Sequence, residues 1–124
     1  MTQEEKELLL KDLCGRLFYR IICKDQYSEY IDVNIYNAHI EHLVDQIASG
    51  VIKMVLRPMS SMTENENKEA KENGCIIYWD TSLEDKGLIV FASPKGLDWL
   101  NKKMFDYRGL IPMGLAIEAP KSMY

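Results

Sequence analysis

The 124-residue chain is poor in the residues that metal and nucleophile chemistry usually rest on, with two histidines and three cysteines. Cys14, Cys23 and Cys75 are odd in number and widely spaced, and no Cys-x-x-Cys pair occurs. That pattern points to reduced thiols in a cytoplasmic protein and gives no support to a zinc knuckle or a thioredoxin-like centre. Each cysteine has an apolar neighbour, so the expected role of all three is that of a small buried hydrophobe. Long apolar runs are missing too. The longest span only a few residues, against the ~20 needed to cross a bilayer. The start, Met1-Thr2-Gln3-Glu4-Glu5-Lys6, is acidic and is followed by just three leucines, so it lacks the basic start and longer apolar stretch of a secretory signal. There is no excess of basic charge either: 15 basic residues against 19 acidic give a net charge of -4. That balance provides no general attraction to phosphates or acidic membranes. No Gly-x-Ser-x-Gly elbow and no glycine loop followed by Lys-Ser/Thr is present, and Gly109 and Gly114 stand too far apart to cradle a phosphate. Repeats and low-complexity linkers are absent as well.

What remains is ordinary globular composition, 47% apolar and 27% charged, in a chain of one-domain length. Residues 2–14 read as a helix. Thr2 and Glu5 have capping-box spacing, Leu9, Leu10, Leu13 and Leu17 share a face, and Gly15 is placed to end it. The β-rich run 18–23 and the alternating run 30–36, separated by Asp25-Gln26, form an expected hairpin with Ile31, Val33 and Ile35 on one side. The period then changes. Ile40, Leu43, Val44, Ile47 and Val51 predict a helix over 38–49, with Asn37 as start cap and Gly50 as end. The apolar run 51–56 stops at Arg57-Pro58. Thr63 and Glu66 form a second capping-box pair, opening a segment to Asn73 whose only apolar residue is Ala70. Such a segment has no face to bury and reads as a solvated helix or an excursion. Runs 75–79 and 88–91 form a second expected hairpin, with Glu84-Asp85 in its turn. Ser93-Pro94 opens a helix over 94–105, with Leu97, Leu100 and Met104 as its buried stripe and Trp99 on the flank. Residues 110–118 are a short helix or an irregular apolar tail.

Three constellations could carry function. Arg57, Met59 and Met62 surround a pair of hydroxyls before the polar segment, and Trp99, Phe105, Tyr107 and Arg108 crowd the C-terminal part. Arginine and aromatic residues dominate binding hot spots, and methionines suit adaptable surfaces. The same residues serve equally as core filling and intradomain salt bridges. Lys95, Lys102, Lys103 and Arg108 are the best candidate basic face, diluted by Asp98 and Asp106. His39, His42 and Asp45 share one side of the second helix and are a weak candidate metal set. Their spacing is permissive, yet it is not the four-residue spacing of helical metalloproteases.

LRPMSSMTENE at 56–66, DWLNKKMFDYRGLIPMGLAIEAPKSMY at 98–124 and KELLLKDLCGRL at 6–17 resemble a group of short proteins from gut bacteria and their phages and prophages. The group has no assigned function, so the resemblance implies only a context, a small cytoplasmic protein of phage descent.

The expectation is therefore an α+β fold in a single domain, 1–124. It comprises a helix near 2–14 and two antiparallel hairpins in one small sheet, with helices near 38–49 and 94–105 on one face. The leading functional expectation is a non-enzymatic protein-interaction module with another protein as partner, using Arg57, Met59, Met62, Trp99, Phe105, Tyr107 and Arg108. No catalytic residue and no cofactor is expected, and membrane and nucleic acid are disfavoured as partners. A nucleic-acid accessory factor and a metal-dependent hydrolase are the alternatives.

Overall fold

Thr2 caps the first helix as its spacing with Glu5 predicts. The Thr2 hydroxyl accepts a hydrogen bond from the Glu5 amide, and the Glu5 carboxylate accepts one from the Thr2 amide. Two otherwise orphaned donors are thereby satisfied. The structure, a computed structural model, describes residues 2–27, 29–33, 40–80 and 87–124. In it α1 runs Gln3–Arg16 and buries Leu9 and Leu13. Gly15 does not end the helix as expected. It lies inside α1, and Arg16 continues the helix to reach back one turn to Asp12.

β1 (Ile21–Lys24) and β2 (Tyr30–Val33) form the first antiparallel hairpin. The Asp25 carboxylate accepts hydrogen bonds from the Tyr27 and Glu29 amides and so holds the turn. Ile35 and the cap residue Asn37 lie outside the described residues. α2 (Ile40–Ala48) buries Leu43 and Ile47. Val51 was expected on that buried stripe but is exposed, because the chain turns through Gly50 at φ +79° before reaching it. β3 (Lys53–Leu56) then pairs antiparallel with β1.

The expected single sheet is in fact two. β6 (Ala116–Glu118) lies parallel to β3 on its free side, which completes a four-stranded mixed sheet of order β2-β1-β3-β6. The tail expected over 110–118 is thus turns followed by a strand. β4 (Cys75–Asp80) and β5 (Gly87–Ala92) form a separate antiparallel pair, in register from Cys75↔Ala92 to Asp80↔Gly87.

One face of the larger sheet, with Ile21, Cys23, Met54 and Leu56, packs on Leu9 and Leu13 of α1 and on Leu43 and Ile47 of α2. The opposite face, with Ile22 and Val55, is covered by Ala119, Met104 and Met123. A second core joins α3 (Glu64–Glu72), α4 (Pro94–Lys102) and the inner face of the β4–β5 hairpin through Met59, Ala70, Cys75, Trp99, Leu100 and Phe105. α3 is a true helix: its Thr63–Glu66 capping box is formed, and Ala70 is buried in the second core.

In α4 the buried stripe is rotated from the expected one. Leu97 is exposed, while Gly96, Trp99, Leu100 and Asn101 face inward. Gly96 sets this phase, since a Cβ there would meet Cys75 Sγ at 2.8 Å and the Gly74 carbonyl oxygen at 3.1 Å. The helix backbone is therefore pressed directly onto the start of β4. The helix also stops at Lys102, short of the expected 105, and Met104 adopts φ +67°.

Candidate functional site

Arg57 directly follows β3, and its backbone is clamped on both sides. Its amide donates to the Met104 carbonyl, and its carbonyl accepts from the Asp106 amide, both at 2.8 Å. The guanidinium is therefore fixed at the root. It is 4% exposed and forms a bidentate pair with Glu66: Nη1 donates to Oε2 and Nη2 to Oε1, each at 2.8 Å. Nε donates to Ser61 Oγ, and Nη2 donates also to the Ser61 carbonyl, at 3.3 Å. The Phe105 and Tyr124 rings lie over the guanidinium at 4.2 and 4.0 Å. Glu66 also accepts from the Thr63 amide. The Arg57 hydrogen bonds hold the Glu66 carboxyl far below the usual carboxylate range, at about 2, against the opposing pull of burial and with help from the Thr63 amide. One carboxylate thus caps α3 and neutralises a buried cation, which anchors a helix with almost no apolar face.

Arg108 belongs to a second cluster. Asp12, fully buried on α1, accepts from Arg16 Nε at 2.7 Å and Nη2 at 3.1 Å, and from Arg108 Nη1 at 3.0 Å. Arg16 Nη2 also donates to the Phe105 carbonyl at 2.7 Å. The Tyr107 ring faces both guanidiniums, at 5.1 Å from Arg16 and 4.8 Å from Arg108. Its hydroxyl donates to Asn101 Oδ1 and accepts from Arg108 Nη1. Asp106 caps the following turn by accepting from the Leu110 and Ile111 amides. The segment Asp106–Gly109 therefore ties α1 to α4 and to the turn after it. Between a surface contact and an internal pair, the geometry places Arg108 in the internal pair.

The seven residues expected to form a binding surface are brought close to one another, but mostly inside. Met59, Trp99 and Phe105 are core residues, and Trp99 and Phe105 stack at 5.7 Å between ring centres. Met62 and Tyr107 are half-buried against the same core. Part of the basic set is already committed to carboxylates. Arg108 is committed to Asp12, Lys103 lies 3.9 Å from Glu69, and Lys95 and Lys102 are exposed on α4. His39 lies outside the described residues, and His42 and Asp45 are exposed on α2. Among the described residues no three potential ligands cluster closely enough to hold a metal. Among them, too, no helix is long and apolar enough to cross a membrane. Cys23 and Cys75 are buried as expected, and burial pushes the Cys23 thiol up to about 12. Cys14 departs from the expectation and is exposed, because it sits on the outer side of α1, away from Leu9 and Leu13.

One group of exposed apolar side chains lies on the smaller sheet. Ile76 is 62% exposed, Tyr78 45% and Phe91 58%. All three stand on the outer face of the β4–β5 hairpin, where Ile76 pairs with Phe91 in register and Tyr78 stacks on Phe91 at 6.3 Å. The inner face of the same hairpin, with Cys75, Ile77, Val90 and Ala92, packs on the second core. The sequence carried a signal for this. Cys75-Ile76-Ile77-Tyr78 is apolar at every position, which is how a strand reads when both faces are to be covered. Only one of them is covered here by the described residues. No protein-family model matches the chain, and no curated protein or solved structure is similar to it.

Proposed function

We propose that this protein is a non-enzymatic interaction module, and that it docks on a different protein, of the host or of a phage, through the outer face of the β4–β5 hairpin. Ile76, Tyr78 and Phe91 carry the reading: three large apolar side chains, aligned and pre-stacked, on one face of a strand pair whose other face is anchored in a core. A contiguous apolar patch of a few hundred Å² is about the largest a monomer leaves exposed, and such a patch is often functional. The cytoplasmic setting and phage descent implied by the resemblance belong to the same proposal.

Area favours a different protein over a second copy. At these exposures the three side chains offer roughly 300 Å². A stable interface buries about 800 Å² on each side. Two copies meeting face to face through these three residues alone would leave that requirement unmet. A partner with an apolar groove that receives the hairpin and contacts its flanks can meet it.

The test uses the full chain as bait on nuclease-treated host lysate, beside a Tyr78→Ser/Phe91→Ser variant and a Phe18→Ser control, Phe18 being 79% exposed away from the hairpin. The proposal expects one dominant protein that is retained by the wild type and the control and lost by the hairpin variant. It also expects that protein to bind again when both components are purified. Equal capture by the hairpin variant, or binding that vanishes with nuclease, overturns it.

A further inference from the structure

A cleft on the other side of the Arg57 cluster is assigned no role by the reading above. It opens between the start of the β1–β2 turn, the 3-10 turn Met59–Ser61, and the chain after β6. Its two adjoining hollows, of about 610 and 580 Å³, share Ser60, Ser61, Lys121 and Tyr124. Either volume falls within the range of small-molecule sites.

Charge and aromatic surface coincide there. Lys24 and Lys121 line the larger hollow together with Glu118. Among the described residues neither lysine has a carboxylate within ion-pairing distance. The Arg57–Glu66 pair in the adjoining hollow is internally neutral and adds no free charge. Ser60 is exposed and brings a hydroxyl. Two tyrosines complete the walls, and each is steadied by a cation. Lys24 Nζ stands 5.3 Å from the Tyr30 ring centre, and the Arg57 guanidinium 4.0 Å from that of Tyr124. Both rings remain about half exposed. Rings ordered in this way lose little freedom when a flat ligand stacks on them. Ammonium groups and a hydroxyl lining one hollow suit a phosphoryl group.

We infer that this cleft binds a small phosphomonoester carrying a planar ring, with Lys24, Lys121 and Ser60 on the phosphate and Tyr30 and Tyr124 against the ring. The inference is independent of the hairpin face, since the two sites share no residue.

Titration of the isotope-labelled full chain with adenosine monophosphate at low salt, followed by NMR, tests it, with adenosine and inorganic phosphate as separate arms. The expected result is saturable shifts centred on Tyr30, Ser60, Lys121 and Tyr124, with a dissociation constant near or below about 1 mM. Adenosine and phosphate alone should bind at least about tenfold more weakly, because each loses one half of the contacts. Lys24→Ala/Lys121→Ala, checked for an unchanged melting temperature, should weaken adenosine monophosphate to about the affinity of adenosine alone. Tyr30→Ala should weaken adenosine monophosphate toward the affinity of phosphate alone, with Tyr124 keeping part of the ring contact. No saturation up to about 10 mM overturns the inference, being far weaker than such contacts provide. Shifts unaffected by loss of the lysines overturn it as well, as does binding of phosphate as tight as that of the nucleotide.

Discussion

Replacing Glu66 by glutamine tests the Arg57 anchor through its pH dependence. The amide keeps the shape and one acceptor oxygen for the Thr63 and Arg57 donors but removes the negative charge between them. In the folded protein the Glu66 carboxyl is held at about 2, against an ordinary value of 4.5. A folded-state value below the unfolded one means that the unfolded state binds the proton more readily. The stabilisation is then full above the ordinary value and is lost as pH falls through that window toward 2. The difference corresponds to about 3 kcal/mol near neutral pH, of which roughly half survives at pH 3. Glu66→Gln should therefore cost about 3 kcal/mol at pH 7, with a buried Arg57 charge left unbalanced, and about half of that at pH 3. Urea unfolding at the two pH values, followed by tryptophan fluorescence, reads both numbers, and the slope with denaturant checks that the unfolded state is unchanged. A cost below about 0.5 kcal/mol at pH 7, the level of an ordinary surface substitution, would refute the reasoning. So would a cost that is equal at pH 7 and pH 3.

Arg108→Ala should lower stability by about 2–4 kcal/mol, because it leaves Asp12 buried with Arg16 as its remaining cationic partner; chemical denaturation measures this, and a change within error would place Arg108 on the surface. A thiol reagent at pH 8 should modify one cysteine of the native protein quickly, Cys14, and the others only on unfolding, since burial holds Cys23 and Cys75 protonated; fast reaction of two or three would contradict the packing. Gly96→Ala should destabilise by about 1–3 kcal/mol, as overpacking does, through contact with Cys75 and the Gly74 carbonyl. A melting temperature equal to that of the wild type would show that α4 does not press on β4 as described.

Local chemistry was well announced in the sequence. Both Thr–Glu capping boxes and the Ser93-Pro94 helix start follow from spacings of three or fewer residues, the two antiparallel hairpins from β-rich runs close together in the chain, and each is present. What escaped depends on contacts between distant segments. β6 is three residues long, too short for an alternation to show, and it becomes a strand only because β3 offers an open edge to it. The phase of α4 is set by Gly96 against Cys75, a packing constraint with no trace in the periodicity of 94–105. The two arginines illustrate the same limit at the candidate site. Arg57 and Glu66 are nine residues apart, so their pairing could be suspected, whereas Arg108 and Asp12 are 96 apart and could not. An arginine beside aromatic residues reads alike whether it waits for a partner or already has one inside. The hairpin face was legible in part. The unbroken apolar run 75–79 required cover on both faces, but the sequence could not show that α3 and α4 would supply only one.

Arg57 and Arg108 are turned inward, and recognition is proposed for the hairpin. A hydrogen-exchange footprint of the chain, alone and with the protein it captures, tests this most directly. The account predicts new protection of amides in 75–79 and 88–92, with 56–62 and 105–109 unchanged. Protection confined to 56–62 and 105–109, with the hairpin exchanging as in the free chain, would contradict it.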